Sequence, residues 1–310
     1  MPRFTERLKS AVHGEQHAFY LSPLDLDLNY TLDSAQTFTW TPIASNEALA
    51  AWKGVAHGEI VTAFQYPNRV EFSTRLRETV VSNYFSLDSP FFSLANAINS
   101  ILKHSGNDAT LRRAINAFPG LRILKQDPWE TIASFLMSQN SNVAMIKQRV
   151  HLLSEKFGLD LGDGFGFPFP DHIARLPLEE LQNCKLGYRA PYLRETAKMI
   201  TNGELNLEEL QRASYETARA SLLELPGVGP KVADCICLYG LGHMQAFPID
   251  THVLQVMETF YAKEVKKLKK GRKTVPYNEL ADFSREKFGP YAGYAQQYLF
   301  HLHRTTGCRQ

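Results

Sequence analysis

Cysteine and long hydrophobic runs are both scarce in this chain of 310 residues. Its four cysteines, Cys184, Cys235, Cys237 and Cys308, are too few and too scattered for a disulfide framework, and none has zinc-ribbon spacing. No stretch reaches the roughly 18 consecutive apolar residues that a membrane span needs. We therefore expect reduced thiols in a cytosolic or nuclear compartment, and no association with a membrane.

The chain also lacks an excess of charge of one sign. Its 34 Lys and Arg against 32 Asp and Glu give +2, which argues neither for nor against a nucleic-acid partner. Residues 1–7 are not followed by the apolar segment of a secretory signal, so we do not expect secretion. The run 263–273 holds seven bases and one acid. It can be a solvated helix end and loop or a DNA-contacting patch, and both remain open.

What the sequence does contain is a change of pattern at about residue 90. Residues 15–85 show short β-rich runs separated by turn signals at Gly54 and 67–68, which predict an antiparallel sheet. These runs are 38–40, 59–66 and 69–73. Helical spacing then dominates. It predicts helices over 92–101, 111–118, 127–139, 142–157, 171–174, 178–183, 188–202, 207–211, 214–224, 231–241, 250–263, 277–288 and 291–303.

The order of these elements predicts an α+β fold. Residues 1–118 would form an N-terminal antiparallel β-sheet domain with trailing helices. Residues 119–310 would form an all-helical core of two helical subdomains that enclose a cleft. Within that core, the glycine- and phenylalanine-rich stretch 161–170 predicts a loop packed by its aromatic side chains.

The most informative segment is 225–234, which reads LPGVGPKVAD. Gly227 and Gly229 flank one apolar residue between two apolar helical patterns, and predict a tight helix-hairpin-helix turn at about 214–241. Such a turn exposes backbone N–H groups at the N-terminus of the second helix. Orphan donors and the positive dipole end favour a phosphate there, and no base is read.

Lys231 stands at the start of the second helix, and Asp250 follows nineteen residues later, directly before another helical pattern. A lysine and a carboxylate placed in this way can be an amine nucleophile and its acidic partner. An amine attacks only when it is unprotonated, a form that burial or a nearby cation favours. The alternatives are that Lys231 only binds phosphate and that Asp250 only caps its helix.

Together with further blocks, these residues resemble the helix-hairpin-helix base-excision DNA glycosylases, and within them the 8-oxoguanine DNA glycosylase family. The blocks come in the family's order: 126–128, 134–146, 186–189 and 289–300. Residues 24–40 and 83–88 resemble its N-terminal sheet domain more weakly. The resemblance implies a bifunctional glycosylase and AP lyase that removes oxidised purine from duplex DNA. Lys231 would form a Schiff base, and Asp250 would support positive charge on the sugar.

The resemblance also implies a pocket for the flipped base. Phe300 would stack on one face of the base, Cys235 would lie on the other, and Gln296 would bond to its Watson–Crick edge. In the family a glycine carbonyl reads the N7 proton of 8-oxoguanine, and this chain has Ala35 there. Any positive φ at that position costs more for alanine than for glycine. The alternative for Phe300 and Cys235 is an ordinary place in the core.

A second implied set of residues handles the opposite strand. Asn140 would fill the gap left by the flipped base, Tyr188 would wedge beside it, and Arg189 would read the orphaned base. Many family members have a second arginine where this chain has Met145, so we predict looser discrimination against bases other than cytosine. From the residues alone, the polar run 139–142 is simply a turn with an N-cap.

The remaining implied contacts involve phosphate and a cation. The groups implied to bind DNA phosphate belong to Gly227, Gly229, Val232 and His252. His252 can equally be a satisfied histidine in the first turn of a helix. As in family members, the carbonyls of Leu223, Leu225 and Val228 would hold a structural monovalent cation. Related endonuclease-type enzymes carry an iron–sulfur cluster on four C-terminal cysteines, but only Cys308 lies there, so we expect no cluster and no other cofactor.

Three functions compete at this point. The first is the oxidised-purine glycosylase and lyase, the second is a superfamily glycosylase for alkylated purine or oxidised pyrimidine, and the third is a non-enzymatic DNA-binding protein. Lys231 argues against alkyl-base enzymes, which generally use water, while Gln296 and Phe300 argue against pyrimidine enzymes. We expect duplex DNA with a damaged base as the partner of a monomer. Its place would be the bacterial cytoplasm (nucleoid) or the eukaryotic nucleus.

Overall fold

The computed structural model of the protein describes residues 12–21, 26–90 and 92–307. Cys308, residues 1–7 and residues 24–25 of the N-terminal resemblance lie outside these ranges. The strands are β1 (Val12–Leu21), β2 (Thr41–Pro42), β3 (Ala50–Ala56), β4 (Glu59–Tyr66) and β5 (Arg69–Leu76).

Helices form most of the remaining chain. They are α1 (Leu28–Leu32), α2 (Glu78–Tyr84), α3 (Leu94–His104), α4 (Ala109–Ala117), α5 (Pro128–Met137), α6 (Val143–Phe157), α7 (Pro170–Arg175), α8 (Leu178–Asn183), α9 (Ala190–Thr201), α10 (Leu207–Arg212), α11 (Tyr215–Leu223), α12 (Pro230–Tyr239), α13 (Thr251–Phe260), α14 (Ala262–Lys269), α15 (Tyr277–Phe288) and α16 (Ala292–Thr306). Two 3₁₀ turns, Gly187–Arg189 and Gly289–Tyr291, precede α9 and α16. Among the residues described, no helix is long and apolar enough to cross a membrane.

The N-terminal part is an antiparallel sheet with strand order β1-β5-β4-β3-β2, as the alternating sequence predicts. In β5 the side chains of Val70, Phe72, Thr74 and Leu76 are buried in alternation with more exposed neighbours. That apolar face and α2 enclose the smaller of two hydrophobic clusters. The prediction of an α+β chain with an N-terminal antiparallel sheet is confirmed.

The sequence interpretation was wrong within this sheet. Residues 38–40 form bends and irregular backbone rather than a strand, and Gly54 lies inside β3 rather than in a turn. Trp40 is fully buried and donates its indole N–H to the Tyr84 hydroxyl at 2.8 Å. A Cβ on Gly54 would lie 2.4 Å from Cδ2 of Trp40, so glycine makes room for the ring. The short helices α1 and α2 were also missed in this stretch.

The helical part contains every helix that was predicted, with ends shifted by three residues or fewer, except for one. The predicted helix 250–263 is two helices in the structure. The first, α13, ends at Phe260, and α14 begins after Tyr261. The basic run 263–273 therefore forms α14 and the turn after it, and only Val265 of α14 is buried. This agrees with a solvated helix end and loop, and DNA contact there stays a prediction.

The larger hydrophobic cluster is built around α12 and α16, both of which are buried along most of their length. α16 packs against α4, α13 and α15, so the trailing helix α4 shares the helical core. The boundary at 118/119 stays a prediction. The loop 161–170 is packed as predicted: Phe167 meets the Trp129 ring edge-on at 6.2 Å, and Trp129 donates to the Pro168 carbonyl at 2.9 Å.

Candidate active site

The hairpin joins α11 to α12, and its two glycines serve different purposes. Gly227 has φ 78°, and a Cβ there would lie 2.4 Å from Cδ2 of Tyr192. Gly229 is the N-cap of α12 with φ −94°, and a Cβ there would meet nothing within 4 Å. The turn therefore needs glycine at 227 for its own geometry. At 229 glycine leaves open space above the helix N-terminus.

Backbone donors are available at this end of α12. Pro230 has no N–H, and the first bond into the helix is donated by Ala233 to the Gly229 carbonyl at 3.0 Å. The N–H groups of Lys231 and Val232 thus have no acceptor within the helix. Val228 donates to the Leu225 carbonyl at 3.0 Å, which closes the turn. Phosphate binding at this N-terminus and cation binding at the Leu223, Leu225 and Val228 carbonyls stay predictions.

Lys231 lies half-buried in the first turn of α12, against aromatic rings. Its Nζ lies 5.3 Å from the centroid of the Phe135 ring, and Phe135 stacks on Tyr239 at 5.5 Å. One helical turn later, Cys235 is only 3% exposed and shares a hydrogen bond with Lys231. Burial raises the pKa of the Cys235 thiol to about 11, partly offset by the nearby amine. The thiol is therefore neutral at physiological pH.

Asp250 caps α13, as its position in the sequence predicts. Its Oδ1 accepts the Val253 N–H at 2.8 Å, and the residue is half-buried. Its negative charge contributes to the raised pKa of both Cys235 and Tyr239, so the carboxylate lies within electrostatic reach of both. Lys231 and Asp250, nineteen residues apart in the chain, thus both influence the pKa of the same buried thiol.

Three of the residues predicted for the base pocket, Phe300, Gln296 and Cys235, are buried, and Ala35 is half-buried. Phe300 and Gln296 on α16 are 7% and 4% exposed, and the His252 ring meets Phe300 edge-on at 5.5 Å. Gln296 Oε1 accepts from the Tyr239 hydroxyl at 3.3 Å, and the same hydroxyl donates to Gln297 at 2.6 Å. This burial fits both a closed pocket and a place in the core, so their roles in base recognition stay predictions.

Ala35 has φ 58°, in the left-handed region where glycine is favoured. The preceding carbonyl, that of Ser34, accepts from the Gln297 side chain at 2.9 Å. Gln36 is buried and donates to the Thr31 and Arg122 carbonyls, both at 2.8 Å. The hydrogen bond from Gln297 therefore holds this loop beside α16. Ala35 lies near the helix that carries Gln296. Sequence reasoning missed Gln297, although a second glutamine on a buried helix was a visible signal.

The residues predicted to enter the DNA helix lie together. Asn140 has φ 45° and donates its side-chain amide to the Tyr188 hydroxyl at 3.1 Å. Tyr188 is 49% exposed, and Cζ of Arg189 lies 4.3 Å from its ring centroid. Arg189 itself is buried, and its guanidinium donates to the carbonyls of Gln139 at 3.0 Å and Leu186 at 3.3 Å. To read a base, the Arg189 guanidinium must give up its hydrogen bonds to these carbonyls and donate to the base edge instead.

Met145 lies in the first turn of α6, where its N–H is capped by the Asn142 side chain at 2.9 Å. The structure therefore confirms that 139–142 is a turn with an N-cap. Arg149, one turn further on, is buried and donates to the Met137 carbonyl at 3.0 Å and the Ser141 hydroxyl at 2.6 Å. Burial, then the nearby Arg189, lowers the pKa of Arg149. Sequence reasoning missed this second arginine.

His252 is exposed, and its Nδ1 lies 3.0 Å from Nδ1 of His303 on α16. One of these two nitrogens carries the proton and the other accepts it. Burial and the nearby His252 lower the pKa of His303, which favours its neutral form. Nothing in the sequence pairs the two histidines. In the part of the chain that the structure describes, no group of three or more metal-ligating side chains could hold a metal ion.

Comparisons with known proteins identify the family of the chain. Residues 19–132 match the model of the 8-oxoguanine DNA glycosylase N-terminal domain, and residues 133–275 that of the HhH-GPD superfamily of base excision DNA repair proteins. The N-glycosylase/DNA lyase OGG1 of Arabidopsis thaliana is 31% identical, over 96% of this chain and 84% of that protein. A probable N-glycosylase/DNA lyase of Methanothermobacter thermautotrophicus is 33% identical, over 64% and 69%.

Solved structures give the same result. The Clostridium acetobutylicum 8-oxoguanine glycosylase/lyase, in complex with double-stranded DNA containing cytosine opposite 8-oxoguanine, superimposes with a TM-score of 0.81 at 29% identity. It covers 94% of this chain and 98% of that one. The Archaeoglobus fulgidus 3-methyladenine DNA glycosylase shares only the fold, with a TM-score of 0.68 at 19% identity. The chain therefore belongs to the 8-oxoguanine DNA glycosylase family.

Proposed function

We propose that the chain is a bifunctional DNA N-glycosylase and AP lyase of base-excision repair. It binds duplex DNA, flips out 8-oxoguanine and removes it through a Schiff base. The observation that carries this function is the placement of Lys231. Its amine lies in the first turn of the hairpin's second helix, between Phe135 and the buried Cys235 thiol, and Asp250 influences the pKa of the same thiol.

Lys231 is the nucleophile of this reaction. Its Nζ forms a bond to C1′ of the sugar while the C1′–N9 bond breaks, and the base leaves with the electron pair. The proton released by the amine balances the charge of the departing base. Opening of the sugar ring then gives the Schiff base, and loss of a proton from C2′ expels the 3′ phosphate. Asp250 stabilises the positive charge that develops on the sugar.

The other site residues bind and select the DNA. N–H groups at Gly227, Gly229, Lys231 and Val232, with His252, hold phosphates, while the turn at Asn140 enters the space of the flipped base. Phe300, Gln296, Cys235 and the Ala35 carbonyl form the base pocket. Phe300, Gln296 and Cys235 are buried, and Gln296 already accepts a hydrogen bond from Tyr239, so these side chains change little when the base enters.

Further properties are part of the proposal. The chain works as a monomer, without a membrane and without a cofactor or iron–sulfur cluster. A structural monovalent cation lies at the hairpin carbonyls of Leu223, Leu225 and Val228. The protein acts where its DNA is, in the bacterial nucleoid or in the eukaryotic nucleus.

Borohydride trapping tests the chemistry, because it reduces the Schiff base to a stable bond between protein and DNA. We expect trapping on duplexes containing 8-oxoguanine, no trapping with Lys231→Gln, and DNA binding retained in that variant. Lys103→Gln, at an exposed lysine on α3, is the control and should trap like the wild type. Trapping of Lys231→Gln at wild-type yield would overturn the role of Lys231.

A panel of single-lesion duplexes tests the substrate. Duplexes with 8-oxoguanine, 3-methyladenine or an oxidised pyrimidine are compared at equal enzyme concentration, and we expect 8-oxoguanine to be excised fastest. Faster excision of either other lesion would move the chain to the second class of function. Binding without excision of any of the three would make it a non-enzymatic DNA-binding protein.

A further inference from the structure

Asp234 is a buried carboxylate that the proposed chemistry does not use. It lies on α12, three residues after Lys231, and is 0% exposed. Its Oδ1 accepts from the Tyr215 hydroxyl at 2.7 Å and from Nε of Arg219 at 2.8 Å. Its Oδ2 accepts from the Tyr277 hydroxyl at 2.7 Å. A buried charge requires such partners, so this carboxylate joins α11, α12 and α15.

The Tyr277 hydroxyl makes a second contact, with the backbone that leads into the active site. It accepts the N–H of Ile249 at 3.3 Å, and Ile249 directly precedes Asp250. Burial and the nearby Asp234 raise the pKa of Tyr277 well above its usual value, so the hydroxyl keeps its proton. It donates that proton to Asp234 and offers a lone pair to Ile249. A continuous bridge thus runs from α12 through Tyr277 to the start of α13.

We propose that Asp234 and Tyr277 are positioning residues for base excision, which hold Asp250 in place relative to Lys231. The inference rests on the proposed function, because it assigns a task in that reaction. Lys231 and Asp250 stand on different helices, so their separation depends on how the segment before α13 is attached to α12. The bridge attaches it directly beside Asp250. A misplacement of about 1 Å in such a site costs on the order of a hundredfold in rate.

Tyr215 offers a matched control within the same cluster. Its hydroxyl donates to the same carboxylate at the same 2.7 Å, but it accepts from Nη1 of Arg285 at 3.0 Å instead of from backbone near Asp250. Tyr215→Phe and Tyr277→Phe therefore delete the same kind of bond to Asp234. Only Tyr277→Phe also releases the segment that carries Asp250.

The experiment measures single-turnover excision of 8-oxoguanine opposite cytosine, with enzyme in excess, for the wild type and both variants. Affinity is measured on a duplex with a tetrahydrofuran abasic analogue, which the enzyme cannot process. We expect Tyr277→Phe to lower the excision rate about tenfold with affinity changed less than about twofold. Tyr215→Phe should keep the rate within about twofold. Equal rate losses in both variants, or a loss of affinity alone, would overturn the inference.

A second variant covers the case in which Tyr277→Phe does not fold. Asp234→Asn keeps the shape of the side chain but offers one oxygen instead of two, so it cannot accept from Tyr277 as well as from Tyr215 and Arg219. We expect it to fold and to excise slowly, and a wild-type rate would contradict the bridge. The experiment also distinguishes failure of the proposed function from failure of the bridge through Tyr277. A wild type that excises nothing refutes the proposed function, whereas an active wild type with an equally active Tyr277→Phe refutes only the bridge.

Discussion

Asp250 has a structural and a chemical task, and two substitutions at this one residue separate them. Asparagine keeps an oxygen for the Val253 N–H but removes the charge, whereas alanine removes both. We expect Asp250→Asn to change the free energy of unfolding by only a few tenths of a kcal/mol, and Asp250→Ala to lower it by about 1 kcal/mol. Both should greatly slow single-turnover excision. Unfolding in urea and excision kinetics check this, and full activity of Asp250→Asn would leave Asp250 as a cap only.

Met145 leads to a prediction about the base opposite the lesion. An arginine that bonds to a base edge in bidentate fashion is worth about 1–3 kcal/mol of discrimination. We expect Met145→Arg to raise the preference for cytosine over adenine opposite 8-oxoguanine by about tenfold. Met145→Leu, which keeps the apolar side chain, should leave the preference unchanged. The ratio of excision rates on the two duplexes is the measurement, and a strict preference for cytosine in the wild type would contradict the premise.

For individual residues, the sequence predicted the contacts and caps that depend on local spacing along the chain. The shared face of Lys231 and Cys235 follows from one helical turn, and the cap formed by Asp250 follows from its place before a helix. It could not predict partners that are remote in the chain. Gln297 bonds to Ser34 across 263 residues, and His303 meets His252 across 51. Such pairs arise only from tertiary packing.

The hairpin provides a prediction at the scale of one element. Gly227→Ala adds a Cβ at 2.4 Å from Tyr192 in left-handed backbone, so it should destabilise the protein by on the order of 2–4 kcal/mol. Gly229→Ala meets open space and should cost less than about 1 kcal/mol. Its Cβ would nevertheless crowd a phosphate at the N-terminus of α12, so DNA affinity should fall about tenfold. Thermal unfolding and DNA titration measure both, and unchanged affinity would remove the phosphate from this site.

Helices were easier to predict than strands for a physical reason. A helix such as α15 is specified by its own apolar spacing and by Pro276 before it and Gly289 after it. In contrast, 38–40 contains β-prone aromatic residues that serve packing, since Trp40 lies on Gly54 and bonds to Tyr84. A strand forms only where a neighbouring strand can pair with it. The sequence around Trp40 does not show that residues 38–40 have no such partner strand. Gly54, read alone, signals a turn for the same reason.

The whole molecule consists of a sheet cluster and a helical cluster, and Glu130 lies where they meet. It stands in the first turn of α5, buried near Tyr84 of the sheet part, and forms a hydrogen bond with Thr39. Burial, reinforced by the negative charge of Asp127, raises the pKa of Glu130 to about 8. Since an unfolded glutamate has a pKa of about 4.3, the folded protein binds a proton that the unfolded chain releases.

The sign of the resulting pH dependence follows from this difference. Between about pH 4.5 and 8 the folded state holds more protons than the unfolded state, so Glu130 makes stability fall as pH rises. Glu130→Gln removes that titration and keeps the shape of the side chain. We expect its melting temperature, relative to the wild type, to rise steadily from pH 5 to pH 8 and then level off. Glu204→Gln, at an exposed glutamate, should show a constant difference across this range, and a constant difference for Glu130→Gln would mean that Glu130 is ionised in the folded protein.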